Sequence, residues 1–146
     1  MDTQNTELKV SAIKEGTVID HIPAEKLFNV INILRLDKID TLITFGTNFE
    51  SKSQGKKAII KIANKFFEGD EINKIALVSP DANLNIIKNY KVVEKKKVIV
   101  PDIIEGIVKC VNPKCITNNE TVRTRFSVID KKSIKLKCHY CEKITT

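Results

Sequence analysis

All four cysteines of the 146-residue chain lie in two short knuckles, Cys110-Val111-Asn112-Pro113-Lys114-Cys115 and Cys138-His139-Tyr140-Cys141. The first is C-x4-C, the second C-x2-C, with 22 residues between Cys115 and Cys138. Either knuckle is short enough for both thiolates to reach one ion. Together they supply the four sulfurs of a closed tetrahedral zinc shell, which leaves no open position for water. Such a site folds a domain; it does not catalyse. Two disulfides are the competing reading, but nothing at the N-terminus resembles a secretory leader that would deliver the chain to an oxidising compartment. A redox C-x2-C would leave Cys110 and Cys115 unexplained, and four unlinked thiols would be an accident of spacing. With the sulfur shell full, His139 is expected on the surface.

Charge narrows the partners only slightly. The net charge is +7. Residues 1–100 carry +3 of it and residues 101–146 carry +4, and four thiolates on one zinc would take 2 from the second part. Neither part has the dense basic character of a dedicated nucleic-acid binder, so an anionic ligand fits as well. No apolar run is long enough to span a bilayer. The polar, acidic start (Met1-Asp2-Thr3-Gln4-Asn5-Thr6-Glu7) sets a cytoplasmic expectation.

Hydrophobic periodicity outlines the elements before the knuckles. Leu8 to Ala12 alternates as a half-buried strand, and Thr17 to Ile22 is β-branched up to Pro23. From Ala24 the period becomes helical, with Leu27, Val30, Ile31 and Leu34 on one face, and the helix is expected to stop near Leu36-Asp37. Ile39 to Thr47 and Lys57 to Ile62 read as an antiparallel pair. A helix follows, with Asp70 as expected N-cap and Ile72, Ile75 and Ala76 as its buried stripe. Ala82 to Ile86 and Tyr90 to Glu94 form a hairpin around Lys88-Asn89. Lys95-Lys96-Lys97 reads as the end of this pattern.

This order, β–α–β–β–α–β with a further strand, predicts an α+β fold. It is a ferredoxin-like antiparallel sheet with two helices on one face, followed by a small β-rich zinc-binding domain. The expected domains are 1–97 and 98–146. The second has strand-like pieces at 124–129 and 134–137 and too few apolar residues for a large core, so zinc supplies the constraint. Residues 1–97 show no nucleophile elbow, phosphate loop or metal-binding helix pair, and the chain has only His21 and His139; it is not expected to be an enzyme. Lys57, Lys61 and Lys95 form a cationic cluster near Asp20-His21. Lysines of that kind commonly do no more than solvate a sheet edge.

Three segments carry a resemblance that decides between these readings. Ala12-Ile13-Lys14-Glu15-Gly16-Thr17-Val18-Ile19-Asp20-His21-Ile22-Pro23-Ala24, the run Asn85 to Lys95, and Leu136 to Lys143 behind a C-x4-C knuckle resemble the aspartate carbamoyltransferase regulatory chain, in the same order and over nearly the whole length. The resemblance implies a non-catalytic subunit of pyrimidine biosynthesis. Its N-terminal allosteric domain binds CTP and UTP as inhibitors and ATP as activator, and its zinc domain contacts the catalytic chain. It also implies a regulatory homodimer within an assembly of six catalytic and six regulatory chains (c6r6). By the same resemblance Ile13, Tyr90 and Val92 line the base pocket, Asp20 and Lys61 hold the ribose, His21 and Lys95 face the triphosphate, and Asn85 is a further pocket residue. Cys110, Cys115, Cys138 and Cys141 hold one Zn2+. No nucleic acid or membrane partner is implied. Lys96 and Lys97 depart from the family pattern as two extra cations beside the site, and the chain stops at Thr146 where some members run on. The alternative from another class is a zinc-ribbon nucleic-acid module using Arg123, Arg125, Lys131, Lys132, Lys135 and Lys137; it would have no use for the Asp20-His21 segment.

Overall fold

A computed structural model describes residues 12–52 and 55–146; the expected strand Leu8–Ala12 lies outside them but for Ala12. The chain divides into two compact units, which meet in sequence between Val98 and Ile99.

In the first unit, the β-branched segment forms β1 (Gly16–Pro23), and the helical-period segment forms a single 3-10 turn (Ala24–Lys26) running into α1 (Leu27–Ile33). β2 (Ile43–Ser51) and β3 (Gly55–Ala63) are a hairpin; α2 (Asp70–Val78), β4 (Asn83–Lys88) and β5 (Lys91–Lys97) complete the unit. The described strands make a five-stranded sheet in the order β2-β3-β1-β4-β5, antiparallel at every pairing. Without β5 this is the ferredoxin-like order.

Strand alternation sorts the sheet into two faces. One carries Ile19, Ile60, Ile62 and Leu84, all fully buried. α1 and α2 contact each other and bring Leu27, Val30, Ile75 and Ala76 to this apolar layer. Each fully buried aliphatic side chain contributes roughly 1.5–3 kcal/mol, so this layer is the main source of the unit's stability. The other face carries Val18, Asp20, Lys57, Ile59, Lys61, Asn83, Asn85, Lys95 and Lys97. That face is mixed, and it holds the candidate binding residues. At the edge of β1, Gly16 sits at φ +143, and a Cβ there would run into the Ile62 carbonyl, so only glycine lets β1 and β3 close at this end.

Several boundaries differ from the expectation for identifiable reasons. Arg35 adopts a left-handed conformation and starts a second 3-10 turn at Leu36–Lys38, which delays β2 until Ile43. Gly69, at φ +52, precedes α2, and Asp70 is its first helical residue, where a carboxylate favours the helix dipole. Ile72 is half-buried while Ile75 and Ala76 are fully covered. The β4–β5 turn is Asn89-Tyr90, both at positive φ, as a two-residue hairpin loop of the primed type requires. Lys95, Lys96 and Lys97 do not end the pattern. They are the second half of β5, the outermost described strand, where lysine is compatible with an edge.

The second unit is a four-stranded antiparallel sheet, β6 (Ile103–Glu105), β7 (Arg125–Asp130), β8 (Lys135–Cys138) and β9 (Ile144–Thr145), in that order, with one short helix, α3 (Ile116–Asn119). Its buried apolar residues are few: Val100, Ile104, Phe126 and Leu136 beside three of the cysteines. The β7–β8 turn is closed by the Asp130 carboxylate, which accepts the Lys132 N–H at 2.9 Å and the Ser133 N–H at 3.1 Å. Those two donors, Ser133 first, hold its carboxyl below the usual range.

Candidate metal centre and anion-binding face

The four sulfurs come from three places in the second unit. Cys110 precedes the first knuckle's turn, Cys115 caps α3, and Cys138 closes β8 with Cys141 just beyond it. All four Sγ atoms lie within 4.8 Å of one another. Cys110 to Cys141 is 3.6 Å and Cys115 to Cys138 is 3.7 Å. A tetrahedron with metal–sulfur bonds of ~2.3 Å has sulfur–sulfur edges of ~3.8 Å, so the thiols already occupy the corners of a metal shell. A disulfide would bring two of them to ~2.0 Å, and all four are free, which removes the disulfide reading. His139 is exposed and stacks edge-on against Tyr140 at 5.1 Å, outside the shell.

The thiols are not equivalent. Burial pushes Cys110 up to about 12. The Lys143 N–H beside Cys141 brings that thiol down to about 6, and the Thr117 hydroxyl lowers Cys115. A thiol must lose its proton to bind the ion, and Cys110, raised by burial, is the one that holds its proton hardest. Metal uptake releases that proton, and affinity falls as pH falls because protons compete for the same sulfurs. We expect at least about one proton released per metal bound at pH 7, read with an indicator dye in weakly buffered solution. Uptake with no proton release would contradict this assignment of protonation states.

The first unit offers a face of opposite character. β1 carries a bulge between Ile19 and Ile22, where the register with β3 shifts and His21 takes φ +61. The bulge delivers two consecutive polar residues, Asp20 and His21, to one place. Asp20 is buried and collects donors. Its Oδ1 accepts the His21 N–H at 2.7 Å and lies 3.1 Å from Lys57 Nζ, and its Oδ2 is 3.5 Å from His21 Nδ1. Asn83 Nδ2 lies 3.2 Å from His21 Nδ1, so β4 holds the ring from its other side. Lys57 offsets the Asp20 charge.

Register carries the cluster outward across the sheet. Asn83 pairs with Asp20 on one side and Lys97 on the other; Asn85 pairs with Val18 and Lys95. Asp20, His21, Asn83, Asn85 and Lys95–Lys97 line a cavity of about 230 Å³. Lys95 and Lys97 against one compensated carboxylate give it a positive lining, while Lys96, paired with Leu84, is turned toward Glu94 at 3.7 Å. The cavity is below the ~300–1,000 Å³ of a pocket that swallows a whole small molecule, so it suits the charged end of a ligand. Beside it lies an apolar patch of Ile13, Val18, Ile59 and Ile87, with Val92 packed against it. Lys61 and Asn85, both buried, flank Val18 from β3 and β4.

Seven of the expected nucleotide residues thus gather on one face, in a polar and an apolar zone. Tyr90 is different. It lies in the β4–β5 turn, with its side chain 68% exposed and its N–H given to the Lys14 carbonyl at 3.0 Å. Asn83 was missed by sequence reasoning, and Lys97 entered it only as an extra cation. The Asn83-Leu84-Asn85 alternation, which puts both amides on one face, was the available signal for the first. In the second unit, Arg125 lies 3.7 Å from Glu105 and Lys131 lies 2.7 Å from Asp102, which dilutes the basic surface a nucleic-acid module would need.

Two family models match the chain in tandem. Residues 8–99 match the aspartate carbamoyltransferase regulatory chain, allosteric domain, and residues 102–146 match the metal binding domain of the same chain. The chain belongs to the aspartate carbamoyltransferase regulatory-chain family. Relatives bearing that name include those of Phocaeicola vulgatus, 57% identical over 98% of this chain and 92% of the relative, and Bacteroides fragilis, 58% identical over 98% and 94%. Another, from Pyrococcus horikoshii, is 59% identical over 94% of this chain and 91% of the relative. Membership makes this a regulatory, non-catalytic chain, and it makes the four-cysteine cluster the metal site of the family's metal binding domain. Among the described residues, no helix is long and apolar enough to cross a membrane.

Proposed function

We propose that this chain is the cytoplasmic regulatory subunit of an aspartate carbamoyltransferase, binding nucleoside triphosphates on its first unit and a catalytic chain through its second. The observation that carries the nucleotide reading is the juxtaposition on one sheet face of a cavity bearing Lys95 and Lys97 and a buried apolar patch. A triphosphate sits against Lys95 and Lys97 with His21 at its side, Asp20 accepts from ribose hydroxyls, Lys61 and Asn85 bridge the two zones, and the base lies toward Ile13 and Val92. CTP and UTP act as inhibitors and ATP as activator. Calorimetric titration of the isolated chain with CTP and ATP tests the site: saturable binding of both is expected, and no saturable binding of either overturns it.

The ion is zinc. Four thiolates at tetrahedral spacing, without an oxygen ligand or an open position, suit Zn2+ in a purely structural role. Regulatory chains pair with one another in the c6r6 assembly. The best candidate surface is the β2 side of the first unit, where Phe28 and Phe45 stack edge-to-face at 6.0 Å yet are 62% and 46% exposed, with Leu42 at 66% beside them. Phe45→Glu places a charge in that patch, and the variant should sediment as a monomer where the parent chain sediments as a dimer. A variant that remains dimeric would move the pairing surface elsewhere.

A further inference from the structure

The residues directly after the first knuckle are bonded back onto it in a way that nothing in the metal shell itself requires. Asn118 Nδ2 donates to the Cys110 carbonyl at 2.9 Å and to the Asn112 carbonyl at 2.7 Å, using both amide hydrogens. Asn119 Nδ2 donates to the Pro113 carbonyl at 3.0 Å and the Cys115 carbonyl at 2.8 Å. Thr117 Oγ1 donates to Cys115 Sγ at 3.2 Å. Three consecutive side chains of one short helical turn therefore reach both ends of the C-x4-C loop, its middle, and one ligand atom.

We propose that Thr117, Asn118 and Asn119 are the positioning residues of the metal centre, with two separable duties. Asn118 and Asn119 tie the knuckle's carbonyls to α3, so that Cys110 and Cys115 hold their spacing before an ion arrives. A loop held in its bound shape loses less conformational entropy on binding and lets the ion go more slowly. Thr117 acts on the ligand itself. Four thiolates around a divalent ion leave a net charge of −2, and a hydroxyl proton directed at Cys115 Sγ draws electron density from that sulfur. Removing the hydroxyl leaves the Cys115 sulfur more electron-rich and opens it to attack by protons and by other metal ions' complexes that compete for it.

The test uses the full chain loaded with cobalt as a spectroscopic probe and with zinc for exchange. In the cobalt form, Thr117→Val should shift the sulfur-to-metal charge-transfer band to longer wavelength, and Thr117→Ser, which keeps the hydroxyl, should leave it in place. In the zinc form, Thr117→Val should hold zinc about tenfold less tightly in competition with a chromophoric chelator, at the low end of the range for lost outer-shell partners. Asn118→Ala and Asn119→Ala should speed metal loss without moving the band. Should valine not be accommodated, Thr117→Ala, which only removes atoms, carries the same comparison. An unmoved band in the hydroxyl-free variant, or an equal shift in Thr117→Ser, overturns the role given to Thr117. Parent-like metal loss in both asparagine variants overturns the role given to the amides. A parent chain that gave no tetrahedral cobalt spectrum would instead sink the metal-site reading on which this proposal rests.

Discussion

Removing the metal should unfold residues 99–146 and leave the sheet of residues 16–97 folded. The second unit buries only a few large apolar side chains, Ile104, Phe126 and Leu136 among them, and its β8 strand ends on Cys138, which pairs with Phe126 across the sheet. Structural zinc sites of this kind contribute about 10–16 kcal/mol of apparent binding free energy at neutral pH, more than such a core supplies alone. The first unit has its own apolar layer and owes nothing to the thiols. Hydrogen exchange read by mass spectrometry, with and without a chelator, should show amides of β7 and β8 losing protection while those of β1, β3 and β4 keep theirs. Cys138→Ala should give the same pattern without a reagent, since three thiolates leave the shell open. Unchanged protection of β7 and β8 in metal-free protein would show that the unit folds without the ion.

The second large effect concerns the anion cavity. Lys95→Ala should weaken binding of CTP and ATP by about 10- to 150-fold, the equivalent of ~1.5–3 kcal/mol for a charge-assisted contact. Lys61→Ala should do the same through the other zone, with folding checked separately because Lys61 is only 3% exposed. Lys131→Ala, in the second unit, should bind as the parent does. Parent-like affinity in both Lys61→Ala and Lys95→Ala would remove the site from this face.

The metal centre was legible because it is local: two knuckles and their spacing suffice, and the sulfurs lie where that spacing implied. Element types in the first unit were legible for the same reason, since Thr17–Ile22 and Leu27–Leu34 show their periods plainly. What could not be read depends on partners distant in sequence. The Asp20-His21 bulge exists only against β3. The start of β2 depends on the left-handed turn at Arg35, which has no glycine to advertise it. A run of three lysines reads as a break because lysine is a poor strand former. Yet as an edge strand beside Asn83 and Asn85 those residues complete both the sheet and the cavity. The family resemblance supplied candidate roles for eight pocket residues, but not the pairing that sets Lys97 opposite Asn83, nor the burial of Lys61.

The central claim is that nucleotide bound on the first unit alters a catalytic chain held by the second. Allosteric couplings typically amount to about 1–3 kcal/mol, a five- to 150-fold effect. The direct measurement reconstitutes metal-loaded chain with catalytic chains and records aspartate saturation without nucleotide, with CTP and with ATP, alongside the same series for Lys95→Ala. The account predicts that CTP moves half-saturation to higher aspartate, that ATP moves it lower, and that Lys95→Ala assembles normally but responds to neither at the same concentrations. A complex that forms, binds nucleotide and yet shows one aspartate curve under all three conditions would contradict it.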